Sequence, residues 1–364
     1  MYSINLKCRH ITPMFMSGAD GKTAELRPSE FKGMMRWWWR AIKAEDNIEK
    51  LREEEAKIFG GTGEGEGKSK IRLRLIYQNL QTGSNLKQDF RLDWSYDKST
   101  RSLTGRDRGI GYLLYSTVLP NRVRSFFNPG EKFEIIISSV DENSLKKSVA
   151  SFWLAIYLGG FGARSRRGGG NIEVISVDRD MRQIDFLCKA KDQKELWDWL
   201  KNNLDKIKDI LKQSNSKTNK YTNLKEKDAK ILIFEGKNDW KAALNFLGEE
   251  YVKFRKKNIR EIYKTAAFGM PVMHNQFRMV PYENENKNLS DRWASSLIFK
   301  IIKSNHLYFP VVVKMSAGGV PFIGKEKKEG RDWKLDDNQI QRFDEMLVNE
   351  FLNSLPNKME LSYE

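Results

Sequence analysis

Thirteen residues, GGFGARSRRGGGN from Gly159 to Asn171, hold six glycines and three arginines between an apolar helical stretch and a strand-like run. Glycine allows positive φ and lets another backbone come close. Arg164, Arg166 and Arg167 add planar, permanently charged forks that suit phosphate. Such a segment makes a poor core element and a good cradle for a nucleic-acid backbone, with Gly168, Gly169 and Gly170 as the place of close approach. A second cationic group lies upstream. Lys32, Arg36, Arg40 and Lys43 follow one another at intervals of four, four and three, which aligns them on one face of a helix. No carboxylate of that helix shares the face, and acidic residues resume only at Glu45. Trp39 borders the basic row, where an indole can stack on a base. Phe31, Met34, Met35, Trp38 and Ile42 recur at helical spacing and form the buried stripe. The run 70–77 alternates, with Arg72 and Arg74 beside Lys70 on the face opposite Ile71, Leu73 and Leu75, and extends the same track. The competing readings are a solvated helix face and a charged loop tip.

The whole chain carries the same bias. It has 364 residues, with 64 Lys and Arg against 48 Asp and Glu, a formal charge of +16 and a pI near 9.5. That surplus favours polyanionic partners and steers encounter without specifying a fold. An apolar fraction of 40% with 12% aromatics is enough to build cores, so a disordered basic tail is excluded. No apolar run reaches the roughly 18 residues of a membrane span, and the start lacks a signal-peptide core. Cys8 and Cys188 are too few for a disulfide framework or a metal knuckle. The expectation is a cytoplasmic chain with no membrane, no metal and no cofactor. One segment, GGTGEGEGKS at 60–69, imitates a phosphate-binding P-loop but lacks its first glycine, since Thr62 stands five residues before Gly67. Glu64 and Glu66 also put carboxylates where phosphates belong, and here a helix precedes the loop and a strand follows it.

The elements that position these residues read in order. A strand at 2–11 leads through a Gly-containing loop to the basic helix, with Pro28 in its first turn. The alternating strand at 70–77 follows. Residues 80–130 are polar and arginine-rich (Arg101, Arg106, Arg108, Arg122 and Arg124), too long for a simple connection, and read as a functional insertion or a partly disordered stretch. A strand at 132–138, a helix through Leu145, Val149, Phe152, Trp153 and Ile156, the glycine loop and a strand at 172–177 complete the unit. This order, β-α-β-β-α-β, is the split βαβ, ferredoxin-like arrangement. In the second half the pattern gives a helix at 196–211, a linker at 214–228, a helix capped by Asp239, a hairpin of strands 297–303 and 308–315, and a helix at 337–355. Its topology stays open on pattern alone.

The motifs resemble the RAMP superfamily of CRISPR-associated RNA-binding proteins, whose glycine-rich loop matches Gly160–Gly170. A closer resemblance, to the first-numbered subunits of the Cmr complex (the type III-B CRISPR RNA-silencing effector), rests on ITPMFMSGADG at 11–21, ELRPSEFKGMMRWWWRA at 25–41 and IFGGT at 58–62. The resemblance implies an α+β chain of two tandem ferredoxin-like domains, 1–178 and a more divergent 179–364. FGMPV at 268–272 and RWASSLIFK at 292–300 fit the second. It further implies a non-catalytic, cytoplasmic subunit whose partners are crRNA near its 3′ end, single-stranded target RNA and other Cmr subunits, with no small-molecule substrate. Target cleavage in that complex belongs to another subunit. Some RAMP proteins cut crRNA precursors with a histidine or tyrosine, and His10 is the one acid–base candidate of the first domain; His274 and His306 lie in the second half. The alternatives are therefore a metal-independent crRNA-processing endoribonuclease and a protein-only assembly factor. On this reading the three loop arginines and Arg36 and Arg40 serve RNA without supporting the fold. Trp38 supports the fold, and Trp39 does both.

Overall fold

The order expected of the first half is the order that forms. The computed structural model describes all residues except 98, 100–101, 118–122, 179–183, 215–217, 226–228, 285–286, 320–321 and 363–364, and the side chains of 337–338. Strand β1 (Tyr2–His10) is followed by α1 (Pro28–Lys43), α2 (Ile48–Phe59) and β2 (Ile71–Ile76). The insertion contributes α3 (Arg108–Leu114) before β3 (Lys132–Ser139), α4 (Glu142–Tyr157) and β4 (Ile172–Val177). Arg101 and Arg122 lie outside the described residues. The four strands pair antiparallel in the order β2-β3-β1-β4. This is the ferredoxin-like sheet, and α1 and α4 cover one face because Ile4, Leu6, Phe133, Ile135 and Ile137 all point to it.

The second half repeats the plan, which pattern alone did not reveal. Helix α5 (Gln193–Leu211) precedes β5 (Lys230–Ile233) and α6 (Trp240–Lys257); the Asp239 side chain accepts the Ala242 N–H at 2.7 Å, the expected cap. Strands β6 (Val272–His274) and β7 (Phe277–Asn284) come next, then the expected hairpin, β8 (Leu297–Ser304) and β9 (Leu307–Lys314), turned at Asn305 with φ +53°. The chain ends with β10 (Phe322–Glu329), β11 (Asp332–Arg342), α7 (Met346–Ser354) and β12 (Met359–Ser362). The sheet order β8-β9-β5-β12 is again the ferredoxin-like one, with β6, β7, β10 and β11 set apart in an accessory sheet. The last helix is shorter than its apolar pattern suggested. Residues 337–342 belong to β11, where Trp333 and Leu335 pair with Lys328 and Glu326 of β10. Only Leu347, Val348, Phe351 and Leu352 repeat at helical spacing.

The two halves interlock. One core runs from the α1 and α4 layer through Leu196, Leu200 and Leu204 of α5 to Ile231, Ile233, Val311 and Val313 of the second sheet. The other face of that sheet packs Leu232, Phe299 and Val312 against α6, α7 and Ile110 and Leu113 of α3. The 80–130 insertion therefore acts as a clamp. Arg108 grips Glu249 with both ends of its guanidinium, at 2.6 and 2.8 Å, and Asn245 accepts the Gly109 N–H at 3.0 Å.

The glycine loop is buried in this joint. Phe299 of β8 donates its N–H to the Arg166 carbonyl at 3.1 Å, and Ile301 donates to the Asn171 side chain at 2.7 Å. A Cβ on Gly168 would lie 2.3 Å from Leu244 Cδ1, and one on Gly170 (φ +62°) would lie 1.8 Å from the Phe161 carbonyl oxygen. Gly168 and Gly170 are thus fixed by protein packing, Gly169 is buried between them, and the cradle expected at that point is closed.

Gly330 shares the backbone conformation of Gly170 (φ +61°) but has nothing within 4 Å of its notional Cβ. Gly330→Ala should cost about 1–2 kcal/mol, the strain of the left-handed region alone. Gly170→Ala should cost more than about 4 kcal/mol, because backbone must also move. Denaturant unfolding of the two variants measures the difference.

Candidate nucleic-acid interface

Helix α1 shows where the expected basic face went. At 100° per residue, Trp39, Lys32 and Lys43 lie about 80–120° round from Phe31, with Arg36 and Arg40 beyond them. Helix α2 and strand β2 occupy that flank. Glu55 of α2, 7% exposed, takes the Arg36 Nε and both oxygens bond Arg40 Nη1 at 2.8 Å. Lys43 is buried, with Nζ 2.7 Å from Glu54 and 3.0 Å from the Lys212 carbonyl, and Lys32 Nζ reaches the Ile71 carbonyl at 3.3 Å. Trp39 is 2% exposed within the core and has no face for a base. For Arg36, Arg40 and Lys43 the sequence expectation fails because the carboxylates that meet them come from the next helix. Arg36 and Arg40 retain part of their surface; Lys43 and Trp39 do not serve as contacts.

The loop arginines are also partly spent on the fold. Arg166 donates to the Ser295 carbonyl and lies 5.1 Å over the Trp37 ring. Arg167 donates to the Phe268 carbonyl at 2.9 Å and lies over Tyr251 and Phe299. Arg164, with φ +64°, stacks 5.2 Å from the Tyr115 ring centroid. Burial lowers the pKa of Arg164, and burial with the neighbouring Arg167 charge brings Arg166 down to about 10, so Arg166 remains cationic at neutral pH. Arg166 and Arg167 tie the loop to the second half and Arg164 packs on Tyr115 of the insertion, which corrects the expectation that the three are dispensable for folding.

What remains free is a rim that the motifs only touched. Glu30, in the first turn of α1, is bonded by the Gly162 N–H and flanked by Arg27 and Arg124; its carboxyl is nevertheless raised by burial. Ser125 donates to the Lys22 carbonyl at 3.0 Å, which brings the 17–25 loop to the same place. Lys22 and Arg124 are exposed and Arg27 half-buried, and none has a salt bridge among the described residues. With the half-buried Arg164 they set four cations beside the glycine loop. Arg124 was legible as one of the insertion's arginines; Lys22 and Arg27 carried no periodic signal. Arg72 and Arg74 are exposed on the open face of edge strand β2 opposite Ser138 and Ile136.

His10 does not open on any of this. It is 1% exposed between Phe127 and Phe133, at ring distances of 5.5 and 4.9 Å, and burial lowers its pKa to about 4. Among the described residues no group of three His, Cys, Asp or Glu could hold a metal, and no helix is long and apolar enough to cross a membrane.

Comparison with known proteins fits this geometry. The RAMP superfamily model matches residues 7–173, from β1 into β4. The Cmr subunit Cmr1-2 of Pyrococcus furiosus is 34% identical over 188 residues, covering 48% of this chain and 96% of that protein. The chain belongs to the Cmr1 family. The Cmr subunit Cmr1-1 of the same organism is 27% identical over 280 residues, covering 74% and 75% of the two chains. The fold agrees with the crystal structure of P. furiosus Cmr1 in its apo form, at TM-score 0.65 and 20% identity over 99% of this chain and 98% of that one. A chain of the type III-B Cmr-β complex bound to cognate target RNA gives TM-score 0.57 at 15% identity, over 96% and 98%. The glycine loop lies within the matched residues and is, in this Cmr1-family chain, the joint between its halves.

Two expectations follow. Arg36→Ala combined with Arg40→Ala leaves the buried Glu55 carboxylate unpaired and should lower stability by about 3 kcal/mol; equal melting temperatures would contradict the assignment. His10 binds its proton less readily folded than unfolded, so its contribution is intact above about pH 6.5 and lost as pH falls to about 4. The native chain should lose about 3 kcal/mol across that window that His10→Leu does not, as read by unfolding at each pH.

Proposed function

We propose that this chain is the non-catalytic, RNA-binding Cmr1-type subunit of a cytoplasmic type III-B CRISPR effector. It holds single-stranded RNA, either the 3′ region of crRNA or the target, beside other Cmr subunits. The observation that carries the reading is the rim of Lys22, Arg27, Arg124 and Arg164, where Glu30 is half-buried and Asp20 is engaged by Thr23 and by the Lys22 and Thr23 N–H groups. Backbone contacts by such cations give affinity without sequence preference. Arg72 and Arg74 on the open sheet face, and the free surface of Arg36 and Arg40, extend the path. The names of the P. furiosus relatives and the RNA-bound Cmr-β complex support the assignment.

The endoribonuclease alternative needs an acid–base group at the RNA, and His10, sealed between two phenylalanines, is a poor one. The assembly-factor alternative predicts no affinity for free RNA. Titration of the purified chain with single-stranded RNA at several salt concentrations separates them. About four to six phosphate contacts should give a log–log slope of roughly −3 to −4. Arg27→Ala with Arg124→Ala should flatten the slope without lowering the melting temperature. A slope near zero rules out the phosphate path, and cleavage of repeat RNA rules out the non-catalytic role.

A further inference from the structure

The segment 60–67 that imitates a P-loop is shaped around an anion, and the anion is the protein's own. The Glu66 carboxylate folds back over the loop: one oxygen accepts the Gly63 N–H at 2.7 Å and the other accepts Arg52 Nε at 2.9 Å. These bonds to backbone and guanidinium, with Arg36 nearby, hold its pKa below the usual carboxylate range. The carboxylate lies against bare backbone, since a Cβ on Gly61 would come within 1.9 Å of Glu66 Oε2 and one on Gly63 within 2.9 Å of its Cδ. A cavity of about 180 Å³ adjoins it, bordered by Arg36, Arg52, Glu55, Thr62 and Glu66. Arg52 is 64% exposed, and its one ion pair among the described residues is with Glu66.

A backbone N–H, a bare glycine surface and a guanidinium around one carboxylate make up the chemistry of a phosphate site. Glu55 stays committed to Arg36 and Arg40, so when Glu66 leaves, the site is bordered by two guanidinium groups, Arg36 and Arg52, against one carboxylate already paired. We propose that the 60–67 loop is a gated phosphate site: Glu66 fills it in the free chain, and a phosphodiester of single-stranded RNA displaces Glu66 to bind the Gly63 N–H and Arg52. One singly charged oxyanion replaces another, so the exchange changes little in the net charge of the site, and Glu66 restrains RNA binding. The ligand class rests on the RNA-binding reading above; the gated site itself does not.

The test uses the full-length chain in four forms: native, Glu66→Ala, Glu66→Gln, and Glu66→Ala with Arg52→Ala. The probes are a single-stranded RNA oligonucleotide and inorganic phosphate. Glu66→Ala should bind the oligonucleotide about tenfold more tightly at low salt, with a log–log salt slope steeper by about 0.7 for the added phosphate contact. Inorganic phosphate should raise its melting temperature, and Arg52→Ala should abolish both gains. Glu66→Gln, which keeps the side-chain volume and drops the charge, should shift the same way and decides the matter if the alanine variant folds poorly. Native chain that binds RNA, with both Glu66 variants binding no better and unaffected by phosphate, overturns the gate and leaves the RNA-binding reading standing. Arg52-dependent stabilisation by phosphate without RNA binding by any form upholds the site and overturns that reading.

Discussion

Two edge strands meet in this chain, and the way their unpaired backbone is satisfied governs the rest. Strand β4 closes one ferredoxin-like sheet and β8 closes the other. An exposed edge invites pairing with another chain. Here the glycine loop and the start of β4 run alongside β8, giving the Arg166 carbonyl to Phe299 and the Asn171 amide oxygen to Ile301. Lys303 of β8 continues the line to Glu173 of β4 at 3.0 Å. The path is too tight for side chains, so Gly168 and Gly170 are where a Cβ would strike Leu244 or Phe161. Arg166 and Arg167 have no room to point outward and bond carbonyls of the second half instead.

This joint redistributes the charge that the composition announces. A surplus of 16 positive charges cannot all be spent on a ligand. Part of it holds the protein together: Arg36 and Arg40 fasten α2 through Glu55, and Arg108 fastens the insertion to α6 through Glu249. The cations left beside the loop, and on the open face of the first sheet, belong to elements that the joint and the clamp hold in place. Rigid backing of this kind lets loops carry a binding surface. The same economy explains Glu66, whose carboxylate neutralises a loop built from glycine amides and Arg52.

Much of the fold was legible in the sequence because the first half obeys local rules. Alternation in 71–76, the apolar spacing through α4 and the glycine stop at 159–160 each point to one element. The second half hides its repeat, since the accessory strands interrupt it and Trp333 and Leu335 of β11 blend into the apolar positions of α7. The site was legible only in part, and the misses share a cause. A helical wheel shows which residues share a face and not what covers that face. Lys43 belongs to the basic row and Trp39 borders it, yet Lys43 is covered by Glu54 of α2 and Trp39 is sunk in the core. Likewise, glycine and arginine in one loop suit an RNA backbone and a domain joint equally well. Neighbours distant in sequence, Leu244, Ser295 and Phe299, decide between the two.

The central claim is that the glycine loop is welded to the second half before any RNA arrives. Amide hydrogen exchange at Phe299 and Ile301 in the RNA-free chain tests it directly. Protection comparable to that of the buried strand β9, unchanged when RNA is added, is what the account predicts. Fast exchange at both amides that slows only on RNA binding would contradict it, and would make the loop a cradle that the ligand closes.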